Sequence, residues 1–400
     1  MMNYQEIQEK CTAFADLSVD VLDRFLIDYH LKRTIEYSKL PAQLKKYDKQ
    51  FKQLPGNALD IIIAEYAAYE IFKASGAIHK YLKNSDIVGL SKAEYQYLSD
   101  MVKHPWRFSF SVIVGNPFPG FFEMVDVFTD EEYLLYSPGV QDDIQEEKRI
   151  PNLCFNLISF NGDCWQTYGI VNCFNAFTID DVFFLAQQLN PNIEVEEDVM
   201  LEVDKQCIPF VLMILGSKFP KTSARGFDML YVGAAEYMED IDDAILTEDF
   251  DIQRKSNIIK ITFEELSLFP HKAVAYYDKK RCELSRFAMT LEGYNEMTEE
   301  LIDSGIMVDP GFDFCITPAM LTTAGSILTR KPVITSPYEN LFEATPSQEE
   351  LEENQKLNAF LEELKPYIDS GEKPDLNAMA FTYDIDLQLV EEIWDKLSNL

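Results

Sequence analysis

The chain has 400 residues, 47% of them hydrophobic, so it exceeds what one core usually organises and has enough apolar material for two or more packed domains. Its 68 acidic and 35 basic residues give a formal net charge of −33, which repels phosphate backbones and anionic lipid head groups. The composition therefore excludes wholesale disorder and disfavours nucleic acids and membrane surfaces as partners.

The sequence pattern of residues 1–104 predicts a helical N-terminal region. Ser18 precedes apolar residues at helical spacing and is predicted to cap a helix. The stretch Asp60–Phe72 is apolar on most sides, which is typical of a central buried helix. Ser91 and Glu94 match a capping box, and their helix should end before His104-Pro105, because a proline disfavours helix at the preceding residue.

Residues 105–190 predict a β-rich domain that ends in a helix, because short apolar runs alternate there with turns. An aromatic turn that contains Phe118, Phe121 and Phe122 joins the first two runs. If exposed, these rings would form a contact site, and if buried, they would close one end of a sheet. We keep the three phenylalanines as candidate binding residues.

A hairpin is predicted around Asn161-Gly162, because this dipeptide favours a type I′ turn. A two-residue turn at this dipeptide places Cys164 opposite Ser159 and Cys154 opposite Gly169. In that register Cys154 and Cys164 cannot form a disulfide across the hairpin. We therefore interpret the segment as structural rather than as a reactive-thiol site.

The seven cysteines, at positions 11, 154, 164, 173, 207, 282 and 315, have irregular spacing and no C-x-x-C motif. A disulfide framework would normally be even in number and dense, so we expect small buried thiols in a reducing compartment. The N-terminal stretch has no signal-peptide pattern, and the longest apolar run, Ile208–Leu215, is too short to span a bilayer. The expected location is the cytoplasm.

Residues 191–345 predict a second α+β domain. Ile208–Leu215 reads as a buried strand, and further strands are predicted at 227–232 and 258–263. Residues 272–305 repeat the order strand, turn, strand, helix of residues 153–190, which indicates either an internal duplication or a chance resemblance. The predicted fold class is α+β, with a helical N-terminal region, a central antiparallel β-rich region with two possible ββα units, and a small helical C-terminal subdomain.

Residues 346–400 form that predicted helical subdomain, which would begin at a capping box formed by Ser347 and Glu350. The last helical pair suggests a DNA-reading helix-turn-helix. However, the segment 384–397 carries five acidic residues and one lysine, so it would present negative charge to phosphate. Packing on the rest of the chain or on a partner protein is the better interpretation.

A compact cationic loop, formed by Lys218, Lys221 and Arg225, follows the run at 208–215. It is not a phosphate loop, because Pro220 stands where a glycine is required and has no amide donor. The loop is either a solvated turn or a small anion-binding or partner-docking site, so its three cations are candidate binding residues.

The chain lacks local signatures of catalysis. Its four histidines, at 30, 79, 104 and 271, have no zinc-ligand spacing, and no G-x-G-x-x-G or G-x-S-x-G motif occurs. The acidic run at 236–251 lacks the glycine of a calcium loop. No cofactor and no metal site are predicted, and catalytic residues are unknown.

We therefore expect a non-catalytic cytoplasmic protein-binding protein, such as an adaptor, an inhibitor or a regulatory protein. Because its surface is acidic, a basic protein is the expected kind of partner, and neither direct nucleic-acid binding nor membrane binding is expected. The alternative is a hydrolase or transferase whose site is assembled from sequence-distant residues. A deep pocket that holds a thiol or carboxylate of shifted pKa would favour it.

Overall fold

The computed structural model describes residues 3–26, 30, 42–54, 56–83, 89–239, 241, 246, 250–264, 266, 268–332, 338–342, 356–361, 363–365, 367, 373–383 and 385–397. The chain divides into two compact units, Met1–Ser336 and Pro337–Leu400. Helices come first, two sheets occupy the middle and helices return at the end, which confirms the predicted α+β class.

The N-terminal region is helical, as predicted. Its helices are α1 (Tyr4–Phe25), α2 (Ala42–Lys45), α3 (Asp48–Phe51), α4 (Ala58–Phe72), α5 (Ile78–Tyr81) and α6 (Lys92–Lys103). The capping box of Ser91 and Glu94 is present at the start of α6. The predicted start of a helix at Ser18 is wrong, because α1 begins earlier, after its N-cap Asn3. Ser18 is buried within α1, where its hydroxyl accepts a hydrogen bond of 3.0 Å from Tyr97.

Five strands form a closed barrel in the order β1-β2-β3-β5-β4. The strands are β1 (Arg107–Phe118), β2 (Phe121–Asp126), β3 (Glu132–Tyr136), β4 (Leu153–Phe160) and β5 (Trp165–Phe174), and α7 (Pro138–Glu147) lies between β3 and β4. Neighbouring strands are antiparallel except β3 and β5, which are parallel. A five-stranded barrel of this order, with a helix after the third strand, has the topology of the OB-fold.

The β4–β5 hairpin is present, but its predicted register is wrong. The side-chain oxygen of Asn161 accepts hydrogen bonds of 2.9 Å from the N–H groups of Asp163 and Cys164. This Asx turn moves the centre of the loop one residue along the chain. Ser159 consequently pairs with Gln166, whereas the prediction placed Cys164 opposite it.

A β-bulge shifts the hairpin further. Between Tyr168 and Asn172, strand β5 carries extra residues opposite a single residue of β4. Gly169 lies in this bulge with φ +84°, a value that favours glycine. Cys154 therefore lies opposite Cys173 rather than opposite Gly169, which corrects the prediction.

Helices cover one side of the barrel. They are α8 (Ile179–Leu189), α9 (Glu196–Lys205) and α10 (Ile208–Val211), which continues as a 3₁₀ helix over Leu212–Gly216. The predicted strand at 208–215 is therefore wrong. Pro209 fits the first turn of a helix, where no amide donor is needed. A continuous run of apolar residues has no hydrophobic periodicity, so the sequence pattern does not distinguish a helix from a strand here. Phe210 of α10 contacts Phe110 and Phe155 on the outer face of the barrel.

The second sheet has six antiparallel strands in the order β13-β8-β12-β11-β10-β9. Its strands, with the short pair β6 and β7 before them, are β6 (Ser223–Ala224), β7 (Phe227–Asp228), β8 (Tyr231–Tyr237), β9 (Asp251–Lys255), β10 (Ile258–Thr262), β11 (Val274–Asp278), β12 (Glu283–Ala288) and β13 (Phe314–Ile316). Helix α11 (Leu291–Asp303) packs on this sheet, and α12 (Pro318–Leu328) follows β13. Both predicted ββα units exist: β4-β5-α8 belongs to the barrel, and β11-β12-α11 belongs to the open sheet.

A fully buried arginine, Arg286 of β12, anchors the second sheet. Its guanidinium donates hydrogen bonds to the Thr298 hydroxyl at 2.9 Å and to the Asp309 carbonyl at 2.6 Å. It pairs with the Glu236 carboxylate at 2.8 Å and lies over the Tyr294 ring. Because buried charge is costly without partners, we assign Arg286 a structural role.

One buried cluster runs from Val21 to Ile327 and draws on the helical region, the barrel and α12. The predicted segments 1–104 and 105–190, and the part of 191–345 before residue 336, thus lie in one compact unit. In the second unit, α13 (Glu339–Phe342), α14 (Leu376–Tyr383) and α15 (Leu387–Leu397) are described, and Phe360, Leu364 and Trp394 belong to its core. The predicted capping box at Ser347 lies outside the described residues. Across the described ranges, no helix combines the length and the apolar composition needed to cross a bilayer.

Candidate functional site

A cavity of about 140 Å³ lies where α8 and α12 begin, beside the segment Pro220–Leu230. Seven polar residues contribute to its lining: Asn152, Thr178, Asp180, Lys221, Thr222, Asp228 and Thr317. Thr178 and Thr317 are the N-caps of the two helices, because their hydroxyls accept hydrogen bonds from the first helical turns. The cavity therefore lies at two helix N-termini.

Asp181 joins the two helix starts behind the cavity. Its buried carboxylate accepts hydrogen bonds of 2.8 Å from the backbone N–H groups of Thr178 and Thr317, and a bond of 3.0 Å from the Thr317 hydroxyl. Burial raises the pKa of Asp181 to about 7, while these hydrogen bonds favour the charged form. Asp181 thus holds α8 against α12, and its oxygens are already used by internal donors.

Two of the three charged residues that line the cavity form an ion pair. Lys221 pairs with Asp228 at 2.6 Å. Burial raises the pKa of Asp180, and the nearby Glu196 carboxylate acts in the same sense. Burial also raises the pKa of the Cys315 thiol to about 12, so this thiol is protonated and a weak nucleophile at neutral pH. The arrangement can hold a small polar solute, but it does not activate a nucleophile.

The three cations of the predicted loop have separate partners. Lys218 pairs with Glu147 at 2.8 Å, Lys221 pairs with Asp228, and Arg225 donates a hydrogen bond of 3.0 Å to the Phe269 carbonyl. Of the three, only Lys221 lines the cavity. The three cations do not point toward one anion-sized space, and their role in binding stays a prediction.

The aromatic turn packs against the chain itself. Phe122 points into the barrel with Met124, whereas Phe121 is buried on the outer side. Phe118 is half-buried and stacks on Tyr4 of α1, with ring centroids 5.6 Å apart. A binding role for these rings also stays a prediction, and Phe118 is the one that keeps partial exposure.

The N-terminal half of α1 packs on part of the outer face of β2 and β3. Tyr4 and Ile7 pack there with Phe121, and Gln8 donates a hydrogen bond of 3.4 Å to the Tyr136 hydroxyl. OB-folds use this face to bind oligonucleotides and oligosaccharides. In this chain its own helix packs on the end of the face at Phe121 and Tyr136, whereas Glu123 and Glu132 on the same face are exposed.

An acidic stripe, which sequence reasoning missed, runs along α11. Glu292, Glu296, Glu299 and Asp303 are exposed, and the helix Leu291–Asp303 contains no lysine or arginine to offset them. The buried side of the same helix carries Tyr294, Met297 and Leu301, at the spacing of an amphipathic helix.

The signal for this stripe was present in the sequence. The helix was predicted, and alternation of the apolar positions with glutamates shows which residues face the solvent. The stripe spans about 16 Å, at about 1.5 Å per residue.

All seven cysteines are free, and six of them are buried, as expected for small apolar side chains. Two close pairs were not predicted, Cys11 with Cys164 and Cys154 with Cys173. They could not be found from sequence, because the first joins residues from distant elements and the second depends on the bulge in β5.

Within the described ranges, no group of three or more His, Cys, Asp or Glu residues is arranged to hold a metal ion. Comparisons with protein-family models, with curated proteins and with solved structures find no match to this chain. A barrel topology by itself does not imply a function, so function has to be argued from the chemistry of the surface and the cavity.

Proposed function

We propose that this chain is a non-catalytic protein-binding protein, an adaptor, inhibitor or regulator, whose acidic surface binds a basic protein. The observation that carries the proposal is the stripe on α11. Glu292, Glu296, Glu299 and Asp303 present carboxylates on one exposed helix face, on a chain with a net charge of −33. Such a field accelerates encounter with a cationic surface and fixes its orientation.

The proposed partner is a protein rather than a nucleic acid. The charge of −33 opposes approach to phosphate, and the barrel face on which OB-folds bind oligonucleotides is partly covered by α1 and carries exposed Glu123 and Glu132. We place the protein in the cytoplasm in this proposal. Its seven free thiols support that location, because a reducing compartment keeps thiols reduced.

The test is a capture experiment with the tagged full chain in native extract at about 50 mM salt, followed by stepwise elution with salt and mass spectrometry. At this ionic strength screening between exposed charges is weak, so a complex of the proposed kind survives. The test variant is the triple change Glu292→Gln, Glu296→Gln and Glu299→Gln. We expect the affinity for the captured basic protein to fall about tenfold, because three exposed charge pairs are removed.

A matched control removes three charges elsewhere. Glu9→Gln, Asp16→Asn and Asp20→Asn lie on exposed positions of α1 and change the net charge equally. The control should retain the partner with less than a twofold change in affinity. Equal loss in both variants, or no basic protein retained at low salt, would contradict the proposal.

The cavity at α8 and α12 is the observation that favours the alternative, a hydrolase or transferase. Its only thiol among the lining residues is that of Cys315. The non-catalytic proposal expects Cys315 in the folded chain to react with iodoacetamide at pH 7 no faster than a buried thiol. Rapid stoichiometric labelling at Cys315 would favour the enzyme instead.

A further inference from the structure

Two cysteines from distant parts of the chain meet between α1 and the barrel. Cys11 lies in α1, and Cys164 follows the β4–β5 turn. Their Sγ atoms are 3.5 Å apart, and both residues are buried. A disulfide requires the two sulfurs to approach further, to about 2.05 Å.

The surroundings bias this pair toward one thiolate. The Asn161 side-chain amide donates to the sulfur of Cys11 at 3.2 Å and to that of Cys164 at 3.5 Å. The hydrogen bond from the Cys164 thiol lowers the pKa of Cys11, although burial and the Asp163 carboxylate act against it. The same contact raises the pKa of Cys164. The contact between the sulfurs therefore favours one thiolate in the pair, which we assign to Cys11.

The sequence neighbours of the two cysteines are partly exposed and contact each other. Lys10, the neighbour of Cys11, and Asp163, the neighbour of Cys164, form an ion pair of 3.1 Å whose side chains are 53% and 37% exposed. Each cysteine therefore has an immediate sequence neighbour at the surface, one on a helix and one at a turn. The second pair, Cys154 and Cys173, belongs to the packed interior cluster of the barrel, with sulfurs 3.8 Å apart.

We infer that Cys11 and Cys164 form an oxidation site that takes a hydroperoxide, such as hydrogen peroxide, and closes to a disulfide between α1 and the barrel. The inference does not depend on the proposed partner. Disulfides of cytosolic proteins are usually transient and redox-sensing, which is consistent with the proposed location.

The reaction balances in two steps. The Cys11 thiolate attacks one peroxide oxygen, so that an S–O bond forms, the O–O bond breaks and hydroxide leaves to become water. The Cys164 sulfur then attacks the Cys11 sulfenic acid; an S–S bond forms, the S–O bond breaks, and the second oxygen leaves as water with the proton from Cys164. Two thiols are oxidised by two electrons and one peroxide yields two waters.

The disulfide would fix the N-terminal half of α1 on the outer face of β2 and β3. In the reduced chain this contact depends on a small cluster that includes Ile7 and Phe121. The link joins residues 153 positions apart, so it removes much freedom from the unfolded chain. Oxidation should raise the Tm by about 5 °C and slow amide exchange in residues 4–15.

The experiment treats the folded full chain with hydrogen peroxide, quenches it, denatures it and alkylates the remaining thiols. The expected result is a drop from seven alkylated cysteines to five, with one linked peptide pair that contains Cys11 and Cys164. Dithiothreitol should restore seven. The variants Cys11→Ser and Cys164→Ser should each abolish the link and the rise in Tm.

The variants Cys154→Ser and Cys282→Ser are the controls, since they remove a thiol from the interior pair and a half-buried lone thiol. Both should still form the Cys11–Cys164 link. The inference is overturned if seven thiols remain after a dose that oxidises free cysteine completely. It is also overturned if Cys11 ends as a sulfinic acid without a link, or if Cys154 and Cys173 are the linked pair while Cys11 and Cys164 stay reduced.

Discussion

Glu65 is a carboxylic acid in the middle of the core, and it provides the sharpest test of the packing. It lies in α4, is 1% exposed and faces Gly169 in the bulge of β5. Among the described residues, neither of its carboxyl oxygens has a hydrogen-bond partner of normal geometry. Burial raises the pKa of Glu65 well above its ordinary value, and the nearby backbone N–H of Ile170 offsets this rise only in part.

The sign of the pH dependence follows from this raised pKa. Above the unfolded pKa of about 4.3, the unfolded chain releases the proton while the folded chain keeps it. The folded state then binds more protons, so the free energy of unfolding falls as pH rises, by about 1.4 kcal/mol per pH unit until the folded pKa is reached. The stability that this carboxyl contributes is fully present below the unfolded pKa and is lost as pH rises to the folded pKa.

The perturbation is Glu65→Gln, which keeps the shape of the neutral acid and removes the titration. We expect the variant to gain stability relative to the parent by about 1.4 kcal/mol for each pH unit from about pH 5 upward. The assay is urea unfolding at pH 5, 6, 7 and 8. A Trp394→Phe background leaves Trp106 and Trp165 as reporters, both in the first unit.

Taking the difference between parent and variant removes every other titrating group, because all of them are present in both chains. Asp60→Asn, an exposed acid in the first turn of the same helix, is the matched control and should give a difference that does not change with pH. A difference for Glu65→Gln that is equally flat from pH 5 to 8 would refute the claim that this carboxyl is held protonated.

Three further predictions concern stability. Gly169→Ala places a Cβ within 2.7 Å of the Glu65 side chain at a positive φ and should lower the free energy of unfolding by about 2–3 kcal/mol. In Gly162→Ala the new Cβ meets nothing within 4 Å, so the loss should be about 1 kcal/mol. Equal losses for the two variants in urea unfolding would disprove the contact with Glu65. Arg286→Lys loses the fork of donors described above and should lower the free energy of unfolding by about 3 kcal/mol, so an unchanged calorimetric Tm would contradict its structural role. Asp181→Asn replaces one acceptor oxygen with a donor opposite backbone N–H groups and should cost about 2 kcal/mol, with faster amide exchange at the start of α12; unchanged exchange there would exclude the proposed junction.

The sequence predicted those elements whose signals are local. The helices α4, α6 and α8 have clear caps or long apolar runs, and each was found where it was expected. The hairpin at Asn161 was also predicted correctly in kind. Capping and turn chemistry depend on residues within a few positions of one another, so one sequence contains the information.

The register and the state of 208–215 depended on contacts that the sequence does not show. Asn161 could be a central residue of a two-residue turn, or its side chain could accept hydrogen bonds from the residues that follow. The two arrangements differ by one residue in the centre of the turn, and that shift changes every residue pair in the hairpin. The run at 208–215 is buried on all sides, so its apolar residues would suit a strand or a helix equally. In the structure this run is helical, and its Phe210 packs against Phe110 and Phe155.

The candidate site was less predictable than the fold. Lys221 was singled out for its charge, and it lines the cavity. The other features there, the two N-caps and the Asp181 junction, come from segments more than a hundred residues apart. Conversely, the stripe on α11 was readable, because burial of Tyr294 and Leu301 assigns the glutamates to the solvent side.

The cysteines show how the same residue can serve packing and chemistry. Cys154 and Cys173 fill the barrel interior, and their contact follows from a bulge that also makes room for Glu65 at Gly169. Cys11 and Cys164 are equally buried, yet Asn161 gives both of their sulfurs a hydrogen-bond donor, and their sequence neighbours Lys10 and Asp163 form an exposed ion pair. The distinction between the packing pair and the reactive pair is therefore one of hydrogen bonding rather than of exposed area, which is why Asn161→Ala should slow formation of the Cys11–Cys164 link while leaving both thiols buried.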